Sequence, residues 1–175
     1  TNVKADIWAP SAPIVSEGVL YAAPQDCPEL LALDLTTGEL RWKSRKGELK
    51  HLVGVSGDNL VCSGGTEVVS FSARTGKRLW RGLLSGEEAG LGLVGADFAL
   101  VPSTSGLQRF DLRTGKLAAS FRFQDGAKES GNLIISEDVL VSAGRTAVSS
   151  YFSWDEITAK LKGQTWGVPI SNGNH

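Results

Sequence analysis

Apolar and polar residues alternate in short runs that return at nearly constant intervals. In the stretch 31–42, leucines at 31, 33 and 35 mark one face of a strand, Thr37-Gly38 marks a tight turn, and Leu40-Arg41-Trp42 opens a second strand, so the unit reads as a β-hairpin. The phrase returns at 68–80, where the turn glycine lies 76 − 38 = 38 residues downstream and Trp80 keeps the four-residue offset that separates Trp42 from Gly38. It returns again at 107–117, with the glycine a further 115 − 76 = 39 residues on.

A second pattern runs beside the first. Leucines stand at 20, 60, 100 and 140, each inside a short apolar run, and each run is preceded by another: Pro13-Ile14-Val15, Leu52-Val53-Gly54-Val55, Leu91-Gly92-Leu93-Val94 and Leu133-Ile134-Ile135. Four modules of strands a, b, c and d follow, with the hairpin phrase supplying c and d. Short strands at a period near 40 predict an all-β propeller whose blades are four antiparallel strands, three modules complete and the fourth partial. The expected segments are 1–11 as strand d of a preceding or closing blade, 12–46, 47–86 and 87–126 as blades, 127–153 as the partial blade, 154–163 as a helix and 164–175 as a tail.

The phrase Ala32-x-Asp34-x-x-Thr37-Gly38-Glu39-x-x-Trp42 resembles the repeat of the pyrroloquinoline-quinone (PQQ) type β-propellers, A-x-D-x-x-T-G-[KE]-x-x-W. Such repeats occur in quinoprotein alcohol dehydrogenases, in the outer-membrane barrel-assembly lipoprotein and in large extracytoplasmic bacterial proteins, and here the likeness covers roughly residues 12–153. The motif residues Asp34, Gly38, Trp42, Gly76, Trp80, Asp111 and Gly115 have structural roles to fill. The aspartate accepts backbone N–H groups across the turn, the glycine supplies a positive φ, and the tryptophan packs between neighbouring sheets. The third module departs from the pattern, with Ala119 in the tryptophan's place and Phe121 or Phe123 expected to fill the space.

The fourth module breaks off after Val148-Ser149-Ser150-Tyr151-Phe152, where no Thr-Gly turn follows. Ser153 and Glu156 form a capping-box pair, Trp154, Ile157 and Leu161 share a helical face, and Gly163 is the stop, so a short helix is expected there. Sequences of this kind often end the last repeat in a c strand and pass into a helical segment, which points to the C-terminal part of a larger propeller. Val3 to Trp8 reads as a d strand of the blade before module one, as the strand that completes module four in a minimal closed ring, or as a frayed terminus. The chain opens at Thr1, as expected of a processed product or an excised piece. For 164–175, the expectation is an edge strand over 166–170 at most.

Composition narrows the classes of partner. With 18 Lys and Arg against 19 Asp and Glu, the net charge is −1, which argues against a nucleic acid or an anionic membrane surface. No apolar run reaches the 18 or so residues of a membrane span. Glycine accounts for 21 of 175 residues, suiting a fold rich in tight turns. Cys27 and Cys62 are open to two readings, a disulfide across neighbouring blades or two separate thiols. Arg41, Lys43 and Arg45 would share a face on alternating positions, either as a patch for an acidic partner or as a charged, aggregation-resistant outer strand.

Candidate chemistry is sparse. His51 and His175 stand apart, there is no C-x-x-C, and Gly54-Val55-Ser56-Gly57 lacks the spacing of a nucleophile elbow. Ser63-Gly64-Gly65-Thr66 is too short for a phosphate loop and is followed by no lysine. Glu87-Glu88, Glu137-Asp138 and Asp155-Glu156 are sequence neighbours whose side chains diverge in strands or turns, making them poor acid–base pairs. The quinoprotein likeness would require adjacent cysteines and a calcium set of Glu, Asn and Asp at matching positions; neither is present, so neither PQQ nor calcium is expected to bind.

The loops joining strands b and c remain as candidate interaction sites: Gln25 and Asp26, Ser63 and Thr66, Ser103 and Thr104, and Arg145. Together these readings favour a non-catalytic scaffold for a protein partner or for other domains of a longer chain, in an extracytoplasmic or cell-envelope assembly. The alternatives are a sector of a quinoprotein dehydrogenase with its ligands elsewhere, and a propeller that binds a glycan through exposed Trp8, Trp154 and Trp166.

Overall fold

The computed structural model describes residues 11–122, 131–136, 139–144 and 147–152. Blade 1 comprises β1 (Ile14–Ser16), β2 (Val19–Ala22), β3 (Glu29–Asp34) and β4 (Leu40–Arg45). Blade 2 comprises β5 (His51–Ser56), β6 (Asn59–Gly64), β7 (Glu67–Ser72) and β8 (Arg78–Leu83); blade 3 comprises β9 (Leu93–Val94), β10 (Phe98–Ser103), β11 (Gly106–Asp111) and β12 (Leu117–Phe121). Blade 4 has β13 (Asn132–Ser136), β14 (Val139–Ala143) and β15 (Val148–Phe152). In every sheet the strands pair antiparallel with their sequence neighbours, giving partial propeller blades in the order a, b, c, d. The expected N-terminal strand over 3–8, the helix over 154–163, the tail, Phe123, Glu137-Asp138 and Arg145 lie outside the described residues.

The hairpin turns are held by their own side chains. Asp34 Oδ1 accepts the backbone N–H groups of Thr36 and Thr37, each at 2.9 Å, and Asp111 Oδ1 accepts that of Thr114 at 2.8 Å. In blade 2 a serine occupies the aspartate's place. Ser72 Oγ accepts the Thr75 N–H at 3.1 Å and donates to Asp58 Oδ1 at 3.1 Å, so the carboxylate is delivered from the a–b turn. All three turns end on a glycine near φ +70°, at 38, 76 and 115, a conformation that costs other residues steric strain.

A β-bulge follows each turn. Ala32 pairs with Trp42 and Leu33 with Leu40, which leaves Arg41 as the extra residue on β4; Leu79 and Ala118 hold the same place in the next two blades. This corrects the expectation that Arg41, Lys43 and Arg45 form one row. The bulge removes Arg41 from the alternation, and its guanidinium turns back onto Asp34 at 2.6 Å, while Lys43 pairs with Glu29 at 3.1 Å. All three cations are exposed on the outer strand.

The bulge also sets the direction of the tryptophan. Trp42 points away from blade 1 and lies on the turn of blade 2, its indole N–H donating to the Ala73 carbonyl at 2.8 Å. Trp80 repeats the contact one blade on, donating to the Leu112 carbonyl at 2.6 Å. The rings cover the turn glycines so closely that a Cβ on Gly76 would lie 2.5 Å from Trp42 Cε3 and one on Gly115 2.6 Å from Trp80 Cδ2. Ala119 has no indole to offer; Phe121 is buried instead, in a cluster with Phe98, Leu100, Leu107, Leu133 and Leu140 between blades 3 and 4.

The core is therefore a series of interblade layers. Val19, Tyr21, Leu30 and Ala32 of blade 1 meet Leu60, Cys62, Val69 and Phe71 of blade 2. Val53, Val61, Val68 and Trp80 of blade 2 then meet Ala99, Val101, Phe110 and Leu112 of blade 3. The leucine pattern misleads at one point. Leu20, Leu60 and Leu140 pair with Leu33, Phe71 and Tyr151, but in blade 3 it is Ala99 that pairs with the corresponding Phe110. Leu100 sits one residue further along and so faces blade 4, because a slip of one residue turns a side chain to the other face of the sheet.

Two expectations follow. Trp80→Ala removes an indole packed between two sheets and should destabilise by about 3–5 kcal/mol, read as a lowered denaturant midpoint. Separately, Arg41 first, then the N–H groups of Thr37 and Thr36, hold the Asp34 carboxyl well below the usual carboxylate range, and Thr114 lowers that of Asp111. Both contributions are present above the unfolded carboxylate value of about 3.9 and are lost as pH falls through the folded values. The thermal midpoint should therefore drop on acidification below about pH 4, and the double variant Asp34→Asn, Asp111→Asn should show a smaller drop.

Candidate functional site

In a blade of four antiparallel strands the b–c loop and the link from d to the next blade emerge at the same end of the sheet. The backbone shows them meeting: the Leu84 N–H donates to the Thr66 carbonyl at 2.9 Å, the Glu88 N–H to the Gly65 carbonyl at 2.7 Å, and the Thr104 N–H to the Glu87 carbonyl at 2.8 Å, while Thr104 Oγ1 accepts the Glu87 N–H at 3.1 Å. One rim thus gathers the b–c loops of blades 1 to 3 with the linkers at 46–50 and 84–92.

Of the loop residues singled out from the sequence, Gln25, Asp26, Thr66 and Thr104 are exposed on this rim. Ser63 and Ser103 are not; both are buried and engaged internally, which corrects their selection as contact residues. Ser103 Oγ lies 3.0 Å from the Ser85 carbonyl and accepts from Gln108 Nε2 at 2.8 Å. Gln108, itself buried, also accepts the Ser85 N–H at 3.0 Å, so the linker between blades 2 and 3 is fastened from both sides. Cys27 and Cys62 are both free thiols, and burial pushes the Cys62 thiol well up, away from reactive thiolate.

Sequence reasoning missed the group around Glu88. His51 opens β5, Ser63 lies near the end of β6, and Glu88 enters from the linker. His51 Nδ1 is 2.9 Å from Glu88 Oε2, and the Ser63 hydroxyl donates to Glu88 Oε1. The Glu88 side chain is nearly buried. In the sequence Glu88 is only the neighbour of Glu87 and His51 stands apart, because the three residues are spread over 37 positions. The faint signal was the serine that opens the b–c turn in both blades, at 63 and 103. Hydroxyl and imidazole both bond to the carboxylate and not to each other, so the geometry is a clamp between blade and linker, without the nucleophile-to-base bond of a hydrolase. Among the described residues no group of three or more His, Cys, Asp or Glu is placed to hold a metal ion. Glu88→Ala would leave a buried hydroxyl and an imidazole without their acceptor. It should cost about 1–3 kcal/mol and speed amide exchange across residues 84–92, measured by hydrogen–deuterium exchange.

Comparison with known proteins places this geometry. No curated protein sequence matches the chain significantly. Among solved structures, BamB from Moraxella catarrhalis superposes with a TM-score of 0.67 at 20% identity, over 82% of this chain and 43% of that one. The computationally designed Ika4 protein gives 0.61 at 18% identity, over 82% and 92%. The quinohemoprotein alcohol dehydrogenase from Comamonas testosteroni gives 0.53 at 16%, over 65% and 21%. The chain thus spans under half the length of the BamB structure that it resembles. The family model described as outer membrane protein assembly factor BamB matches residues 3–159, and this chain, a β-propeller of PQQ-type repeats, belongs to that family.

Proposed function

We propose that the chain is a non-catalytic propeller scaffold in an extracytoplasmic, cell-envelope assembly, binding a protein partner or another domain at the rim formed by its b–c loops. One observation carries the reading. The groups that repeat from blade to blade, the turn carboxylates and the indoles, are all spent on holding turns and joining blades, while the residues that differ between blades, Gln25, Asp26, Thr66 and Thr104, are the ones exposed at the rim. Rigid sheets that present variable loops suit recognition. Membership in a family described as outer membrane protein assembly factors supports a partner in the cell envelope.

The quinoprotein reading draws on the likeness to the alcohol dehydrogenase, but the residues here do not fit the group. The chain has no adjacent cysteines, and its two cysteines stand at 27 and 62. A glycan reading rests on Trp8, Trp154 and Trp166, which lie outside the described residues.

A photo-crosslinking residue placed in turn at Gln25, Thr66 and Thr104 in cells should give one discrete protein adduct, whereas the same residue at Leu79, exposed on the outer strand β8, should give none. Adducts at neither or at both would remove the rim from the account. Titration with pyrroloquinoline quinone and calcium should leave the thermal midpoint unchanged; a concentration-dependent rise would favour the quinoprotein reading.

A further inference from the structure

Past Trp42, β4 continues to Ser44, whose hydroxyl donates to the Gly76 carbonyl. Beside that contact an open cleft of about 800 Å³ lies between β4 with its following linker and strands β7 and β8. Leu49, Val69 and Phe71 give it an apolar lining. Its charged lining is one-sided: Lys43, Arg45 and Lys46 stand on one wall and Lys77 and Arg78 on the other, five cations against the two carboxylates of Glu48 and Glu67, in a chain of net charge −1. Internal pairing takes up only part of this charge. Lys43 pairs with Glu29 at 3.1 Å, Lys46 donates to the Pro24 carbonyl, and Glu67 is engaged by Arg81. Among the described residues Arg45, Lys77 and Arg78 form no ion pair, and all three are exposed.

The repeat itself does not require these cations. In the equivalent space between blades 2 and 3, register puts Leu83 at the position of Arg45, Leu84 at that of Lys46 and Leu117 at that of Arg78. Both layers nevertheless close by the same contact of an indole on a turn. Nor is the charge a general guard on outer strands, since at the matching positions β8 and β12 expose Leu83 and Leu117. The surplus belongs to this one cleft.

We propose that the cleft between blades 1 and 2 binds an acidic, extended segment of a protein partner, whose carboxylates reach Arg45 on one wall and Lys77 and Arg78 on the other. Guanidinium groups match carboxylates in a two-pronged geometry, and pairs formed beside an apolar lining are screened less by salt than pairs on an open surface. Carboxylates fit better than the phosphates of a nucleic acid. Glu48 and Glu67 interrupt the positive field where a uniformly charged backbone would pass, and Phe71, the aromatic residue in the lining, is buried and offers no face for a base to stack on. None of the loop tips Gln25, Asp26, Thr66 and Thr104 lines the cleft, so this surface stands apart from the rim reading.

Fluorescence anisotropy of a short labelled peptide rich in glutamate, titrated with the purified full chain at low ionic strength, tests this. The peptide should bind, release as salt is added, and lose binding when its glutamates are replaced by glutamines. The double variant Arg45→Gln, Arg78→Gln should weaken binding by roughly ten-fold. Arg113→Gln with Arg122→Gln removes the same charge at exposed positions outside the cleft and should leave binding unchanged. Gln25→Ala with Thr66→Ala should also leave it unchanged, which separates failure of the cleft from failure of the rim. Equal losses from the two arginine pairs, absence of binding, or tighter binding of an oligothymidylate that Arg45→Gln, Arg78→Gln abolishes would each overturn the proposal.

Discussion

The structure depends on the contact between a tryptophan of one blade and the turn of the next. A four-stranded blade has two apolar faces and no core of its own, so it is stable only when both are covered. Trp42 and Trp80 fix how the cover is placed. The indole lies on a glycine that has no side chain to obstruct it, and its N–H donates to a carbonyl of the neighbouring turn, which at Ala73 also accepts from the Tyr21 hydroxyl. Hydrophobic contact alone would permit sheets to slide; directional bonds across the first two layers set their register. The bulge at Arg41 and at Leu79 is the device that aims the ring.

The rim is held differently. Where the chain passes from one blade to the next, Leu49 and Leu84 stay in the core and polar side chains add to the hold: Glu88 ties His51 to Ser63, and Gln108 ties Ser85 to Ser103. These bonds immobilise the linkers beneath the exposed loop tips. The loops therefore start from fixed positions, which would lower the entropy lost in binding of the kind proposed above. The two blades use different residues for the same fastening, and this is why the repeat pattern does not reveal it.

Much of the fold was legible because the repeat is local. Asp34, Thr37, Gly38 and Trp42 act within one hairpin or onto an identical hairpin, so spacing carries their roles. The errors arose where a single residue of slippage mattered. Leu100 keeps the step of 40 in sequence, yet β9 and β10 are displaced by one residue relative to β5 and β6, and the side chain faces the opposite neighbour. Arg41 leaves its row for the same kind of reason, an extra residue that alternation cannot show. Ser63 and Ser103 resemble loop residues through their glycine and threonine neighbours, but Ser63 is the next-to-last residue of β6 and Ser103 the last of β10, and both are buried.

By itself the sequence determined the blade: its strands, its turns, the glycine that the turn requires and the aromatic that docks on the next unit, because each follows from short-range periodicity and backbone sterics. The tertiary structure alone decided which polar residues meet across blades and which loop side chains remain exposed. Those outcomes depend on the angle and register between sheets. They are set by side-chain volume and bulges summed over residues some 40 positions apart, a quantity that no local pattern encodes.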